Sequence, residues 1–314
     1  MSAPTAADVF PVIDASKQDC ISDEQARFFL DNGLLLIRNV LRGQELVDLR
    51  AQTQELVNLA NADRSDRPDF SFKIHEITKE RVPVRIEYVV DKTAAGKALL
   101  GHPFILRCVE KLQGRDFIPT WDSMVFKNAG AGAAVPWHRD AGTDCTIPNK
   151  PIFNVDFYLD EADMSNCLWG VLGSNQWPAE RIAETLARLN KDGFQTSDGA
   201  VPILMQPGDV IFHNILALHG SPPAQTKLRR VIYLEFRPGE VERQFGPHSL
   251  EYIPLKQREL LACLRDRAQA SYSKGEKPFA YNPSTEFTPP PFRADDKLET
   301  YRYPHEKFWR SGKR

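Results

Sequence analysis

Apolar and polar positions along the chain follow two periods. Ser22-Asp23-Glu24-Gln25 has the S-x-x-Q form of a capping box, so a helix is expected to open there and to stop at Asn32-Gly33, where glycine tolerates the left-handed cap. Leu34 to Val40 then reads as a strand. Leu46, Leu49, Leu56 and Ala60 share one stripe of a second predicted helix, 44–60, and residues 62–70 are a polar loop. Beyond it the pattern shortens. Apolar segments rich in Val, Ile, Phe and Tyr recur at 82–90, 121–127, 152–159, 201–205, 209–218 and 229–236, separated by Gly, Pro and Asn. Such spacing predicts a mainly β protein, a sandwich or barrel, with flanking helices. Ile182, Leu186 and Leu189 mark a helix at 179–191 that interrupts the strands and is expected to pack outside them. After Arg237-Pro238-Gly239 the character changes. A helix near 256–272 precedes Pro289-Pro290-Pro291 and a charged tail that carries Tyr301, Tyr303, Phe308 and Trp309. The expected organisation is a β domain over 1–237 and a C-terminal extension over 238–314. That extension is expected to pack on the barrel or on a partner subunit, which admits a homodimer.

Composition then removes several classes of partner. The 314 residues carry 40 Lys+Arg against 42 Asp+Glu, a net charge of -2, so no basic surplus exists to attract nucleic acid or an anionic membrane. The longest apolar run, Leu260 to Leu264, has five residues, and others such as Leu34 to Ile37 have four, against the ~20 that span a bilayer. The first twenty residues hold acids and no basic segment before an apolar stretch, so a cytoplasmic protein is expected. Five cysteines are scattered without a C-x-x-C pair, and Cys145 among them is expected to serve packing as a reduced thiol.

Candidate chemistry gathers around His138-Arg139-Asp140. Residues i and i+2 of a strand project from one face, so an imidazole and a carboxylate converge there on one metal ion. His219, at the end of the apolar segment 209–218, is the candidate third ligand. Two histidines and a carboxylate leave positions open on non-haem Fe(II) for a cosubstrate and O2. The same three residues would also suit a zinc hydrolase or a metal-binding β-barrel sensor without turnover. Across the hairpin that follows His219, alternation groups Arg230 with Ile232, Leu234 and Phe236. A lone guanidinium on so apolar a face wants a partner, and its fork suits the far end of a dicarboxylate. Arg230, and not Arg229, is therefore the expected anchor. His75, His102, His213, His248 and His305 lack ligand spacing and read as core or surface residues.

Several stretches, in order, carry a resemblance: F-F-L-D-N-G-L-L-L-I-R-N-V, P-W-H-R-D, N-C-L-W-G-V-L-G-S, G-D-V-I-F-H-N-I-L-A-L-H-G-S and R-R. Over about residues 20–237 the chain resembles the phytanoyl-CoA dioxygenase family of Fe(II)/2-oxoglutarate oxygenases. The resemblance implies a double-stranded β-helix, a jelly roll of cupin-like form. It implies Fe(II) as metal, 2-oxoglutarate and O2 as cosubstrates, and hydroxylation, desaturation or cyclisation of a small metabolite with release of succinate and CO2. His138, Asp140 and His219 become the iron ligands, and Arg230, assisted by Ser221, takes the distal carboxylate of 2-oxoglutarate. Lys127 stands where the family commonly has K-x-x-G and is expected at the pocket mouth. Asn154 is a candidate hydrogen-bond partner of the cosubstrate, and Arg85 of an anionic substrate, with a cross-strand ion pair as an equal account of Arg85. Two departures stand out: Gly173-Ser174-Asn175 where the family often reads G-S-H, and a tail after 238 with no counterpart. Asp140 occupies the position that related halogenases give to a small residue, which argues for oxygenation.

Overall fold

A computed structural model describes residues 9–75, 78–130, 132–140, 150–195, 199–224, 227–291, 293 and 295. Cys145 and the aromatic tail residues Tyr301, Tyr303, Phe308 and Trp309 lie outside the described residues. Eleven strands among them form two antiparallel sheets. The larger runs in the order β1 (Leu34–Ile37), β9 (Val210–Asn214), β6 (Phe153–Tyr158), β11 (Arg229–Pro238), β4 (Phe117–Lys127), β3 (Arg81–Glu87), β2 (Phe70–Ile74). The smaller runs β5 (Val135–His138), β10 (His219–Ser221), β7 (Leu168–Val171), β8 (Ala200–Ile203). This is the jelly roll expected from the sequence.

The capping box forms as read. Gln25 N–H donates to Ser22 Oγ at 3.1 Å, Ser22 N–H donates to Gln25 Oε1 at 2.8 Å, and Gly33 ends the helix Asp23–Asn32 at φ 75°. The helix Gly43–Ala62 and the helix Ala179–Asp192 also match their predicted spans within two residues. The latter covers the small sheet from outside, where Trp137 stacks on Phe194 with ring centroids 5.4 Å apart.

Four helices escape the sequence pattern: Val89–Lys92, Ala94–Leu100, Pro103–Gln113 and, in the C-terminal extension, Gly239–Phe245. Val89–Lys92 and Ala94–Leu100 are short and mostly buried, so they carry almost no polar stripe, whereas Pro103–Gln113 does carry one in Arg107, Glu110 and Lys111. The helix Tyr252–Gln269 lies with them, and Leu260, Ala262, Cys263, Phe279 and Tyr281 join the same core as Leu35, Phe212, Ile232 and Phe236. The described part of the C-terminal extension therefore packs on the outer face of the large sheet. Among the described residues, no helix is long and apolar enough to cross a membrane.

Register decides which face is which. On β11, Ile232, Leu234 and Phe236 point outward into the helix-covered core, whereas Val231 belongs to the core between the sheets. Cα partners across an antiparallel pair share a face. The inner face of the large sheet therefore holds Arg229 with Lys127, then Tyr158, Val231, Val125 and Arg85, then Asp156 and Tyr233, then His213, Asn154, Glu235 and Trp121. It is the polar face.

Candidate active site

His138 is the last residue of β5, and Asp140 lies just beyond it, its N–H donating to Ile215 O at 3.0 Å. His219 opens β10 and is the Cα partner of His138, so the two imidazoles stand 4.2 Å apart between centroids. Asp140 Oδ1 lies 3.3 Å from His138 Nε2 and 3.7 Å from His219 Nε2. All three donor atoms fall within 4.8 Å of one another, the proximity a shared metal ion requires.

Local backbone orients both rings. His138 Nδ1 is 2.8 Å from Pro136 O and His219 Nδ1 is 3.0 Å from Ala217 O. An Nδ1–H donated to each carbonyl leaves the Nε2 lone pairs facing Asp140. The residue before His219 is pinned too, because Leu218 N–H donates to Ser174 Oγ at 2.8 Å while that hydroxyl donates to Val171 O. Ser174 thus works within the departure Gly173-Ser174-Asn175. Asn175 turns away and donates from Nδ2 to Leu30 O.

Asp140 is divided between two tasks. Oδ1 faces the ligand histidines, and Oδ2 lies 2.9 Å from His213 Nε2 and 3.1 Å from Asn154 Nδ2. On its other side His213 Nδ1 meets Asp156 Oδ2 at 2.7 Å. Burial pushes His213 down, but Asp156 and Asp140 outweigh it and lift its pKa to about 10, so the ring is an imidazolium at neutral pH. Burial raises Asp156 to about 6 against the pull of His213. For Asp140, burial is overcome by His219, His138 and His213, which hold its carboxyl well below the usual range. Burial takes His219 down to about 4, which keeps it neutral, as metal ligation demands. His213 had been read as core or surface. It sits inside an apolar run, and its partner Asp156 is remote in sequence, so spacing gave no signal.

The donor set fits Fe(II): two imidazoles, of which His219 is held neutral by burial, and one carboxylate with its second oxygen already occupied. A cavity of about 280 Å³ opens beside it, lined by Arg229, Ser221, Asn154, Tyr233, Arg85 and Trp121, among others.

Arg230 does not line this cavity, and its expected placement is corrected. It points outward, where Nε and Nη2 each donate to Asp160 at 2.8 Å and Nη1 donates to Arg50 O. The apolar face that singled it out is the helix-covered one. Arg229 takes the inner position. It is 1% exposed, Nη1 donates to Asn166 O at 2.5 Å, and its buried Nε has no hydrogen-bond acceptor among the described residues. Among the described residues no carboxylate forms an ion pair with it. Beside it Ser221, also 1% exposed, accepts from Lys127 Nζ at 2.7 Å.

Lys127 is likewise not at the mouth as expected; it is 2% exposed behind Ser221, and burial beside Arg229 lowers its pKa to about 6. Asn154 sits against Asp140, with its buried Oδ1 unpaired. Arg85 lies on the cavity wall as expected.

A larger hollow of about 950 Å³ between residues 15–19 and 272–277 includes Glu45, His102 and Glu276, whose side chains also lie within 4.8 Å of one another. Arg267 already donates to both carboxylates, at 3.1 Å to Glu45 Oε2 and 2.9 Å to Glu276 Oε2. That cluster is an ion-pair knot.

The family model for phytanoyl-CoA dioxygenase matches residues 29–232, most of the chain and all of the site. The chain belongs to the phytanoyl-CoA dioxygenase family. Members of this family are non-haem oxygenases that use Fe(II) and 2-oxoglutarate. A methylphosphonate hydroxylase of Gimesia maris is 26% identical over 223 residues, covering 69% of this chain and 80% of its own. Among solved structures, EvdMO1 matches at TM-score 0.58 with 27% identity over 68% of this chain, a match that spans about half (49%) of EvdMO1. EctD from S. alaskensis, solved with 2-oxoglutarate and 5-hydroxyectoine, matches at TM-score 0.56 and 19% identity, over 71% of this chain and 81% of its own, a likeness of fold.

Proposed function

We propose that this protein hydroxylates a small molecule while converting 2-oxoglutarate to succinate and CO2. The observation that carries the reading is one cavity with two unmet demands: three metal-donor atoms at one end and a buried arginine without a carboxylate at the other. A bare metal sensor or a zinc hydrolase has no use for the second.

In this reading His138, Asp140 and His219 hold Fe(II), which supplies the redox chemistry that couples O2 and 2-oxoglutarate to oxidation of a C–H bond. Arg229 grips the distal carboxylate of 2-oxoglutarate with its guanidinium fork. The Ser221 hydroxyl, accepting from Lys127, is left with its own proton to donate to the same carboxylate. A carboxylate arriving there also supplies the negative charge that favours protonated Lys127. His213 and Asn154 hold Asp140 Oδ2, so that Oδ1 alone faces the metal. Trp121 and Leu168 give the cavity apolar wall, while His138 and Asp140 stay open enough on the other side for a substrate to reach the metal position. The Gimesia maris relative, by its name a hydroxylase of a very small substrate, supports hydroxylation of a compact molecule.

The test is anaerobic loading with Fe(II) and 2-oxoglutarate, admission of O2, and measurement of succinate and labelled CO2 without any added substrate. Slow succinate formation that requires Fe(II) is the expected result. Its absence at every metal and cosubstrate concentration rejects the reading.

A further inference from the structure

The cavity wall opposite the metal triad carries charge that the proposed chemistry does not use. Four charged side chains line the cavity besides the histidines: Asp140, Glu235, Arg229 and Arg85. Asp140 is committed to the triad and His213. Glu235 Oε1 accepts from Thr120 Oγ1 at 2.5 Å and from Arg237 Nε at 2.7 Å, so its charge is met within the wall. Arg229 is taken by 2-oxoglutarate in the reading above, on which this inference rests.

Arg85 is left over. Among the described residues its one charge partner is Glu87, through a loose ion pair of 3.9 Å from Nη1 to Oε1 that is too long for a hydrogen bond and leaves the guanidinium N–H groups available. Its guanidinium carbon instead sits 5.1 Å from the centre of the Trp121 ring, which also lines the cavity. An aromatic platform fixes the plane of a guanidinium while leaving its N–H edge open to a planar or tetrahedral oxyanion. The position shares the cavity with the reaction centre: Arg85, Tyr233 and the triad His138, Asp140 and His219 all line it, and the Tyr233 ring meets that of His213 at 6.2 Å between centroids.

We infer that the substrate is a small oxyanion, a carboxylate or a phosphonate, whose anionic group is bound by Arg85 while its C–H bond is presented to the metal triad. Size supports the word small, because about 280 Å³ must serve cosubstrate and substrate together, at or below the lower end of ordinary ligand pockets. With a net charge of -2 the protein has no general attraction for anions, so selectivity for one must come from a local group such as this.

The experiment uses the Fe(II)- and 2-oxoglutarate-loaded protein. Short alkyl carboxylates and alkylphosphonates are compared with amides and esters of the same size, by calorimetric titration under nitrogen and by succinate release in air. The anions, but not their neutral counterparts, are expected to bind, to accelerate succinate release at least tenfold and to yield a product heavier by one oxygen. Comparison of the two anion series says which oxyanion is meant. Arg85→Ala should weaken that binding by tenfold or more, Arg85→Lys should restore part of it, and Trp121→Leu should weaken it with the arginine in place. Equal response to neutral analogues, or unchanged anion affinity in folded Arg85→Ala and Arg85→Lys, overturns the inference. So does a wild-type enzyme that forms succinate on its own but responds to no anion of either series, an outcome that leaves the oxygenase reading intact. A wild-type enzyme that forms no succinate under any condition rejects that reading first.

Discussion

Arg229 and Arg230 are neighbours on one strand, both almost fully buried, and they lead opposite lives. Arg230, on the outer face, has a two-pronged bond to Asp160 and further donors satisfied by Arg50 O and Thr53 Oγ1. Arg229, on the inner face, has one carbonyl and an idle Nε. Unmet polar groups cluster on that side, with Asn154 Oδ1, Asp156 Oδ1 and Tyr158 Oη also unpaired. A buried polar group without a partner costs about 1–3 kcal/mol, so a fold keeps several together only where something else is to bind. On this strand satisfaction goes with the outer face and its lack with the cavity, although single unpaired atoms such as Gln113 Oε1 and Asn175 Oδ1 also occur away from it.

The contrast breaks most sharply at the metal. His138→Ala or His219→Ala should abolish Fe(II) binding in calorimetry while circular dichroism and the unfolding temperature of the metal-free protein stay close to wild type. Tight Fe(II) binding by either variant would contradict the ligand set. The paired arginines come next. Arg229→Ala should weaken 2-oxoglutarate binding by about 2–4 kcal/mol with little loss of fold stability, the range for truncating one partner of a buried charge pair. Arg230→Ala should do the reverse, destabilising the fold by about 3–5 kcal/mol because Asp160 is left buried and short of its partner. Cosubstrate titration and urea unfolding of the two variants read both effects, and an exchange of the two outcomes would mean that the inner and outer faces have been assigned backwards.

A smaller effect is expected one layer out. His213→Gln keeps a donor toward Asp140 but loses the charged bridge to Asp156, and metal affinity should fall by roughly 10- to 100-fold, the usual cost of a lost supporting bond to a ligand. Unchanged affinity would reduce His213 to core packing. A last effect, on the fold and not on the metal, belongs to Lys127. Its folded pKa of about 6 lies below the ordinary lysine value, so between the two the unfolded chain binds more protons than the folded one. Stability of the cosubstrate-free protein should therefore rise as pH rises through that window. Lys127→Met should lose this slope, as urea unfolding at pH 7 and pH 9.5 would show.

Much of this was legible beforehand, for reasons that differ by element. The capping box at Ser22 and the alternation of 229–236 are local patterns with local physical causes, and the structure follows them. The H-x-D pair and His219 were visible because ligand chemistry restricts residue types, although Asp140 lies past the end of its strand. The arginine was misplaced through a correct observation. Arg230 does share an apolar face and does have a partner, but Asp160 is seventy residues away in sequence, and nothing local says that the apolar face is covered by helices. The two short helices over 89–100 are hidden because burial on nearly all sides erases the amphipathic stripe, whereas Pro103–Gln113 keeps its stripe of Arg107, Glu110 and Lys111 and is legible in the sequence after all. His213 was missed for the reason that hid Asp160: its meaning lies in long-range contacts.

The edge strand β1 also governs the order in which this molecule can be made. Leu34–Ile37 pairs only with β9, at Val210–His213, and Gly33 O receives the N–H of Asn214. A ribosome releases the first of these segments long before the second, so an apolar strand with open hydrogen-bonding edges must wait while most of the chain emerges. His138 waits as well, since its pairing partner His219 appears later still. In the proposed reading, capture of iron by His138 and His219 is thus a late event of synthesis, and until then β1 is an unpaired apolar strand of the kind that chaperones shield.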